Sequence, residues 1–173
     1  LLNLVVSIDI KDQNIDVASL IPTESIKKLQ FDLVDFLSDT ISLADIYSTK
    51  CPNCNKLCNQ GMSIRYWYLP EILIFHFVSN IVNGSIKDII NFTYPDTLNM
   101  DSFKNHLDTT PSTYKLTAVV SRMGSSMEIG HFNTYAYHDD AKRWILFNDL
   151  IVQPCDQSAA HNDNAYLLFY QRV

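Results

Sequence analysis

Residues 130–153 read GHFNTYAYHDDAKRWILFNDLIVQ, and the fold turns on how this stretch pairs with itself. Aromatic and apolar residues recur at Phe132, Tyr135, Ala136 and Tyr137 and fill 144–147, and the polar run His138-Asp139-Asp140 lies between them. Two such segments around turn-forming residues predict a β-hairpin. Antiparallel pairing brings the start of the first strand beside the end of the second. His131 then neighbours Asn148 and Asp149 at one edge of a sheet. That juxtaposition suits a general base and the group that orients it. An imidazole held through one ring nitrogen keeps a single tautomer, and its other nitrogen is free to take a proton from a nucleophile. A carboxamide can hold the ring, and a carboxylate also stabilises the imidazolium. A histidine at a strand end is commonly a surface residue, and an Asn-Asp pair is commonly a turn. Spacing alone leaves both readings open.

The flanking segments extend the β pattern. Residues 112–123, STYKLTAVVSRM, alternate Tyr114, Leu116, Ala118 and Val120, which predicts a core strand. A flexible loop, GSSMEIG, separates it from His131, with Met123 just before it and Met127 within it. NAYLLFYQRV, residues 164–173, predicts a last strand. Residues 1–10 alternate like a strand, and KDQNID after them reads as a polar turn. Residues 23–39 predict a helix with Thr23 as N-cap, because Ile26, Leu29, Leu33, Phe36 and Leu37 recur at helical spacing. Residues 62–80 predict two strands broken at Leu69-Pro70, since proline cannot donate to a central ladder. Residues 82–100 read as loop and short strand. One helix with a strand-rich remainder gives fold class α+β, without repeats or low-complexity tracts.

Composition narrows the partners. The 173 residues suffice for one domain, and 47% hydrophobic with 18% charged content is ordinary for a soluble globular chain. Thirteen Lys+Arg against nineteen Asp+Glu leave a net charge of −6 with no basic cluster, so no nucleic-acid partner is expected. No apolar run approaches the ~20 residues that span a bilayer, so no membrane partner is expected. The first segment lacks the basic region and cleavage site of a secretory leader, and a start other than Met suggests excision from a longer protein. The sequons at Asn83 and Asn91 read as chance matches.

The cysteines are Cys51, Cys54, Cys58 and Cys155. Three thiols within eight residues suit metal binding or a reduced compartment better than a disulfide framework. Cys51-x-x-Cys54 is half of a tetrahedral zinc site, with Cys58 as a candidate third ligand. A reduced pair without metal is the plainer reading. His76 reads as core or surface, and His138 with Asp139 and Asp140 as a solvated turn.

GHFNTYAY…RWILFNDLIV, followed by NAYLLFYQRV, resembles the histidine box and C-terminal strands of the ubiquitin-specific protease family. The matching positions include Gly130, His131, Tyr135, Trp144, Phe147, Asn148, Asp149 and Val152, then Ala165, Tyr166, Leu168, Phe169 and Tyr170. LPEILIFHF, YPDTLNM, YKLTAVVSRMG and CPNC resemble further family segments, in the same order along the chain. Phe132 stands where the family usually has Tyr, Arg122-Met123-Gly124 where His-x-Gly is common, and HFVSN where a Lys-Arg-Phe ending is common. The family's Asn-Thr-Cys box, which carries the nucleophile, has no counterpart here, and none of the four cysteines is expected to replace it: Cys51, Cys54 and Cys58 belong to the knuckle-like turn, and Cys155 is expected in a loop just past the Asn-Asp pair.

The resemblance implies a β-rich, papain-like cysteine-protease palm over residues 69–173. Part of a zinc-ribbon-like fingers subdomain would lie within 1–68, and the thumb with its Cys box would be absent. It implies a thiol-dependent deubiquitinase that hydrolyses the peptide or isopeptide bond after ubiquitin's C-terminal glycine. His131 would be the base, with Asn148 and Asp149 orienting it. Cys51 and Cys54 would hold half of a structural zinc. The implied partners are ubiquitin, ubiquitinated proteins and the upstream half of the catalytic domain, in the cytoplasm or nucleus. The alternatives are a non-catalytic scaffold or ubiquitin-binding module of the same fold, and an isopeptidase for another ubiquitin-like modifier.

Overall fold

A computed structural model describes residues 4–9, 29–41, 44–62, 64–78, 90–124 and 130–173. In chain order the elements are β1 (Leu4–Asp9), β2 (Leu29–Asp32), α1 (Leu33–Ile41), β3 (Ala44–Lys50), β4 (Leu57–Met62) and β5 (Ile72–Val78). They continue with β6 (Ile90–Thr93), β7 (Thr97–Asn99), β8 (Thr113–Met123), β9 (His131–His138), β10 (Arg143–Asn148) and β11 (Ile151–Cys155). A short 3-10 helix (Gln157–Ala160) and β12 (Ala165–Arg172) complete the order.

Eight strands make one sheet in the order β1-β5-β12-β8-β9-β10-β11, with β7 added beside β8. The pair β1–β5 is parallel and every other pair of this sheet is antiparallel. Strands β2 and β6 form a parallel pair, and β3 and β4 an antiparallel hairpin. One face of the large sheet is the core. Leu73, Phe75 and Phe77 of β5, Tyr114, Leu116 and Val119 of β8, Trp144 of β10, and Leu168 and Tyr170 of β12 pack there. Leu33 and Leu37 of α1 join them in the same cluster.

The predicted strand 112–123 is present, but its phase is not the simple alternation expected. Leu116 pairs with Tyr170 and Ala118 with Phe169, so Thr117 is the extra residue of a β-bulge. The bulge reverses the facing beyond it. Tyr114 and Leu116 are buried before it, and Val119 and Ser121 after it, in place of Ala118 and Val120. The Thr117 hydroxyl donates to the Phe169 carbonyl at 3.2 Å.

The predicted helix is shorter than expected. Residues 29–32 are strand, and helix begins at Leu33. Long-range pairing outweighs local propensity here. Phe31 sits opposite Phe92 with ring centroids 5.6 Å apart, and Phe31 also packs on Phe36 at 5.5 Å. The N-cap is Asp32, whose Oδ1 accepts the N–H groups of Val34 and Asp35 at 2.8 and 3.2 Å. Its Oδ2 accepts the Thr93 hydroxyl at 2.8 Å, tying the cap to β6. Thr23 lies outside the described residues. Asp32→Ala should destabilise the domain by about 1–2 kcal/mol, since it removes a helix cap and a cross-strand bond together. Urea denaturation of the variant checks this, and an unchanged midpoint would count against the cap.

Among the described residues of 62–80, the second of the two expected strands forms, as β5, and the first does not; a strand precedes it earlier, as β4. Between them Leu69 and Pro70 are buried in an irregular corner. The Tyr114 hydroxyl donates to the Pro70 carbonyl at 2.5 Å. The Arg172 guanidinium donates to the Leu69 carbonyl and, at 3.1 Å, to that of Pro70. The corner is therefore closed by two residues from distant strands.

Candidate functional site

The hairpin read from residues 130–153 forms as β9 and β10, paired from Arg143–His138 to Phe147–Thr134. A third strand, β11, follows after a turn at Asp149-Leu150, with Asn148 paired to Ile151. Asp149 has φ 50°, the left-handed region that aspartate tolerates better than most residues. That turn sets Asn148 and Asp149 at the edge of the sheet beside the start of β9. His131 opens β9 opposite Met123 at the end of β8.

His131 Nε2 lies 2.5 Å from Asn148 Oδ1. An amide oxygen only accepts, so Nε2 carries the proton and donates. In the neutral ring Nδ1 then holds a lone pair and can accept a proton. The Asp149 Oδ2 lies 3.9 Å from the same Nε2, and the two side chains are 44% and 77% exposed. The structure thus brings the three sequence-predicted residues together, with the amide as the near partner and the carboxylate as the outer one. The arrangement can hold one tautomer and stabilise an imidazolium.

The other candidates lie elsewhere. Cys155 is not in a loop but ends β11, paired with Trp144. Asn148 is four residues away along the partner strand, about 13 Å at strand rise. Burial and the charge of Asp156 push the Cys155 thiol up, away from the thiolate a nucleophile needs. His76 sits on β5 with its ring edge-on to Tyr166 at 4.5 Å. Its Nε2 is buried without a hydrogen-bond partner among the described residues, and burial lowers its basicity. His138 Nδ1 accepts the Ala141 N–H at 3.2 Å and so closes the hairpin turn. Met127 lies outside the described residues.

Cys51 and Cys54 occupy the tip of the β3–β4 hairpin. The Cys51 N–H donates to the Lys56 carbonyl at 2.9 Å, and the Asn55 N–H to the Cys51 carbonyl at 2.8 Å. Backbone N–H groups of Cys54 and Asn53, with the Cys54 thiol, hold the Cys51 thiol below its ordinary value. Such amides also suit a metal-bound thiolate. Cys58 is separate, its thiol directed to the Thr49 carbonyl at 3.6 Å. Two sulfurs in one turn fit half of a tetrahedral zinc site. No group of three or more His, Cys, Asp or Glu suited to a metal occurs among the described residues.

One polar contact escaped the sequence reading. His161 Nε2 meets Asp96 Oδ1 at 2.7 Å while the His161 ring stacks on Tyr94 at 4.9 Å. The pair is 65 residues apart in sequence, so no local pattern signals it. It pins the end of the 3-10 helix to the turn between β6 and β7.

A sequence profile described as ubiquitin carboxyl-terminal hydrolase matches residues 34–170. The chain belongs to the ubiquitin carboxyl-terminal hydrolase family. Ubiquitin carboxyl-terminal hydrolase 10 of Arabidopsis thaliana is 31% identical over 127 residues, covering 71% of this chain and 14% of that protein. Ubiquitin carboxyl-terminal hydrolase 4 of Pongo abelii is 30% identical over 145 residues, covering 82% and 15%. The chain therefore spans about one seventh of the length of these relatives. Among solved structures, the SAGA Ubp8/Sgf11/Sus1/Sgf73 DUB module bound to ubiquitin aldehyde matches with a TM-score of 0.63 and 24% identity, covering 84% of this chain and 36% of that chain. The SAGA DUB module bound to monoubiquitin matches at 0.62 and 25%, covering 84% and 35%. The β-rich fold of this family member is that of part of a larger domain.

Proposed function

We propose that this chain is the histidine-bearing part of a deubiquitinase that hydrolyses the peptide or isopeptide bond after ubiquitin's C-terminal glycine. The observation that carries this reading is the 2.5 Å contact between His131 Nε2 and Asn148 Oδ1, set in a family member. The nucleophilic thiol is supplied by a segment upstream of this chain. Its proton passes to His131 Nδ1, and the thiolate attacks the glycine carbonyl. The C–N bond breaks, His131 returns the proton to the leaving amine, and a thioester remains. The same nitrogen then takes a proton from water as its oxygen attacks the thioester carbonyl; the C–S bond breaks, the carboxyl product leaves, and the proton returns to the thiolate. Asn148 holds the ring throughout, and Asp149 stabilises its charged form.

A continuous apolar row supports a covering partner. Ile74, Phe169, Ala118, Ala136 and Ile145 are directly paired across β5, β12, β8, β9 and β10. They lie on the face opposite the core, and none is fully buried. The upstream half of the catalytic domain would bury this row. The reading is tested with the full-length protein and ubiquitin carrying a C-terminal electrophile. Labelling at one cysteine upstream of Leu1 is expected. Ubiquitin binding without labelling would favour a non-catalytic scaffold.

Cys51 and Cys54 supply half of a structural zinc site in this reading, and two thiolates from upstream complete it. Elemental analysis of the full-length protein should find about one zinc per molecule, as four-ligand sites hold. Cys51→Ser with Cys54→Ser should remove it. A metal-free purified protein would leave the hairpin tip as a plain turn without touching His131.

A further inference from the structure

We propose that Arg122 is a positioning residue for His131, acting through the two residues that flank it; its kinetic consequences rest on the function proposed above. Arg122 is paired directly with Phe132 across β8 and β9, so both side chains share a face. Its guanidinium carbon lies 5.9 Å from the centroid of the Phe132 ring. A Cβ placed on Gly130 would fall 2.9 Å from Arg122 Nε and Nη2 and 3.0 Å from Cζ. The guanidinium thus occupies the space that a side chain at position 130 would need. One planar cation bounds the residue before His131 and the residue after it.

The contact is supported from both sides. The Arg122 N–H donates to the Asn164 carbonyl at 2.8 Å, which fixes the root of the side chain to the segment leading into β12. Tyr166 is the extra residue of a second bulge, between the Ala165–Ser121 and Leu167–Val120 pairs. Its ring meets the Phe132 ring edge-on at 5.5 Å. His131 is therefore held at its ring by Asn148 and along its backbone by Arg122 packed on Gly130 and Phe132. Arg122 and Phe132 are also two of the positions where this sequence departs from the pattern it resembles. Both departures fall on one contact, as a matched pair would.

A catalytic base must be held to about 0.5 Å, and a misplacement of about 1 Å costs on the order of 100-fold. Loss of one of two restraints should cost less. The atoms that would clash with a residue-130 side chain belong to the far end of a flexible side chain. Gly130→Ala should therefore push the guanidinium off Phe132 rather than unfold β9. Three variants of the full-length protein test the inference: Gly130→Ala, Arg122→Ala and the double variant. Each single change should lower kcat about tenfold with KM nearly unchanged. The double variant should also lose about tenfold, not about 100-fold, because both changes remove one contact. Nitrogen NMR of the His131 ring should show the Nε2-protonated tautomer in the parent and a tautomer mixture in all three variants, at unchanged melting temperature. Multiplicative losses in the double variant would overturn the proposal, as would a parent-like tautomer in Arg122→Ala. If the parent has no hydrolase activity, the tautomer measurement still decides, so the two readings fail separately.

Discussion

His131→Ala will lower ubiquitin-substrate turnover by the full-length protein by about 10²–10⁴-fold, the range expected when a general base is removed. A ubiquitin-linked fluorogenic substrate provides the measurement. Asn148→Ala should cost less, because Asp149 Oδ2 lies only 3.9 Å from the same ring nitrogen and can take up its orientation. The 173-residue chain by itself should turn over nothing. Cys155 is too far along β11, and its thiol is pushed up by burial, so it does not stand in for the nucleophile proposed to lie upstream. Turnover by the isolated chain that survives Cys155→Ser would place the nucleophile elsewhere and sink this assignment.

Phe75→Ala carries the largest expected effect on stability. Phe75 is fully buried on β5, between β1 and β12, and its ring meets Tyr170 edge-on at 5.8 Å and 86°. Truncation opens a cavity and removes an aromatic pair, for about 3–5 kcal/mol. Against a typical total of ~5–15 kcal/mol that is a large share. In a domain larger than this chain, the melting temperature should fall by roughly 10 °C. Thermal unfolding followed by tryptophan fluorescence checks it. A shift of only about 2 °C would mean that the core closes around the missing ring.

The sequence by itself determined the elements whose pattern is local. Two runs rich in aromatic and apolar residues, 131–137 and 143–148, with turn residues between them, were enough to pair β9 with β10 and to place His131 beside Asn148 and Asp149. That pairing needs only strand periodicity and a short turn, and the structure reports the contact at 2.5 Å. The collinear motifs likewise pointed to the family that the profile over residues 34–170 shows. Other features were decided only in three dimensions. Residues 29–32 carry a helical pattern, yet Phe31 gains more from Phe92 and Phe36 than from another helical turn, and Asp32 becomes the cap. The bulge at Thr117 exchanges Ala118 and Val120 for Val119 and Ser121 in the core, because the pairing partner β12 sets the register. Cys155 became strand because β10 offered it an open edge. The contact of Arg122 with Gly130 and Phe132 has no sequence period, since it forms only where β8 and β9 lie side by side. Local periodicity is written along the chain; register, caps and contacts across strands are set by which neighbours the folded sheet supplies.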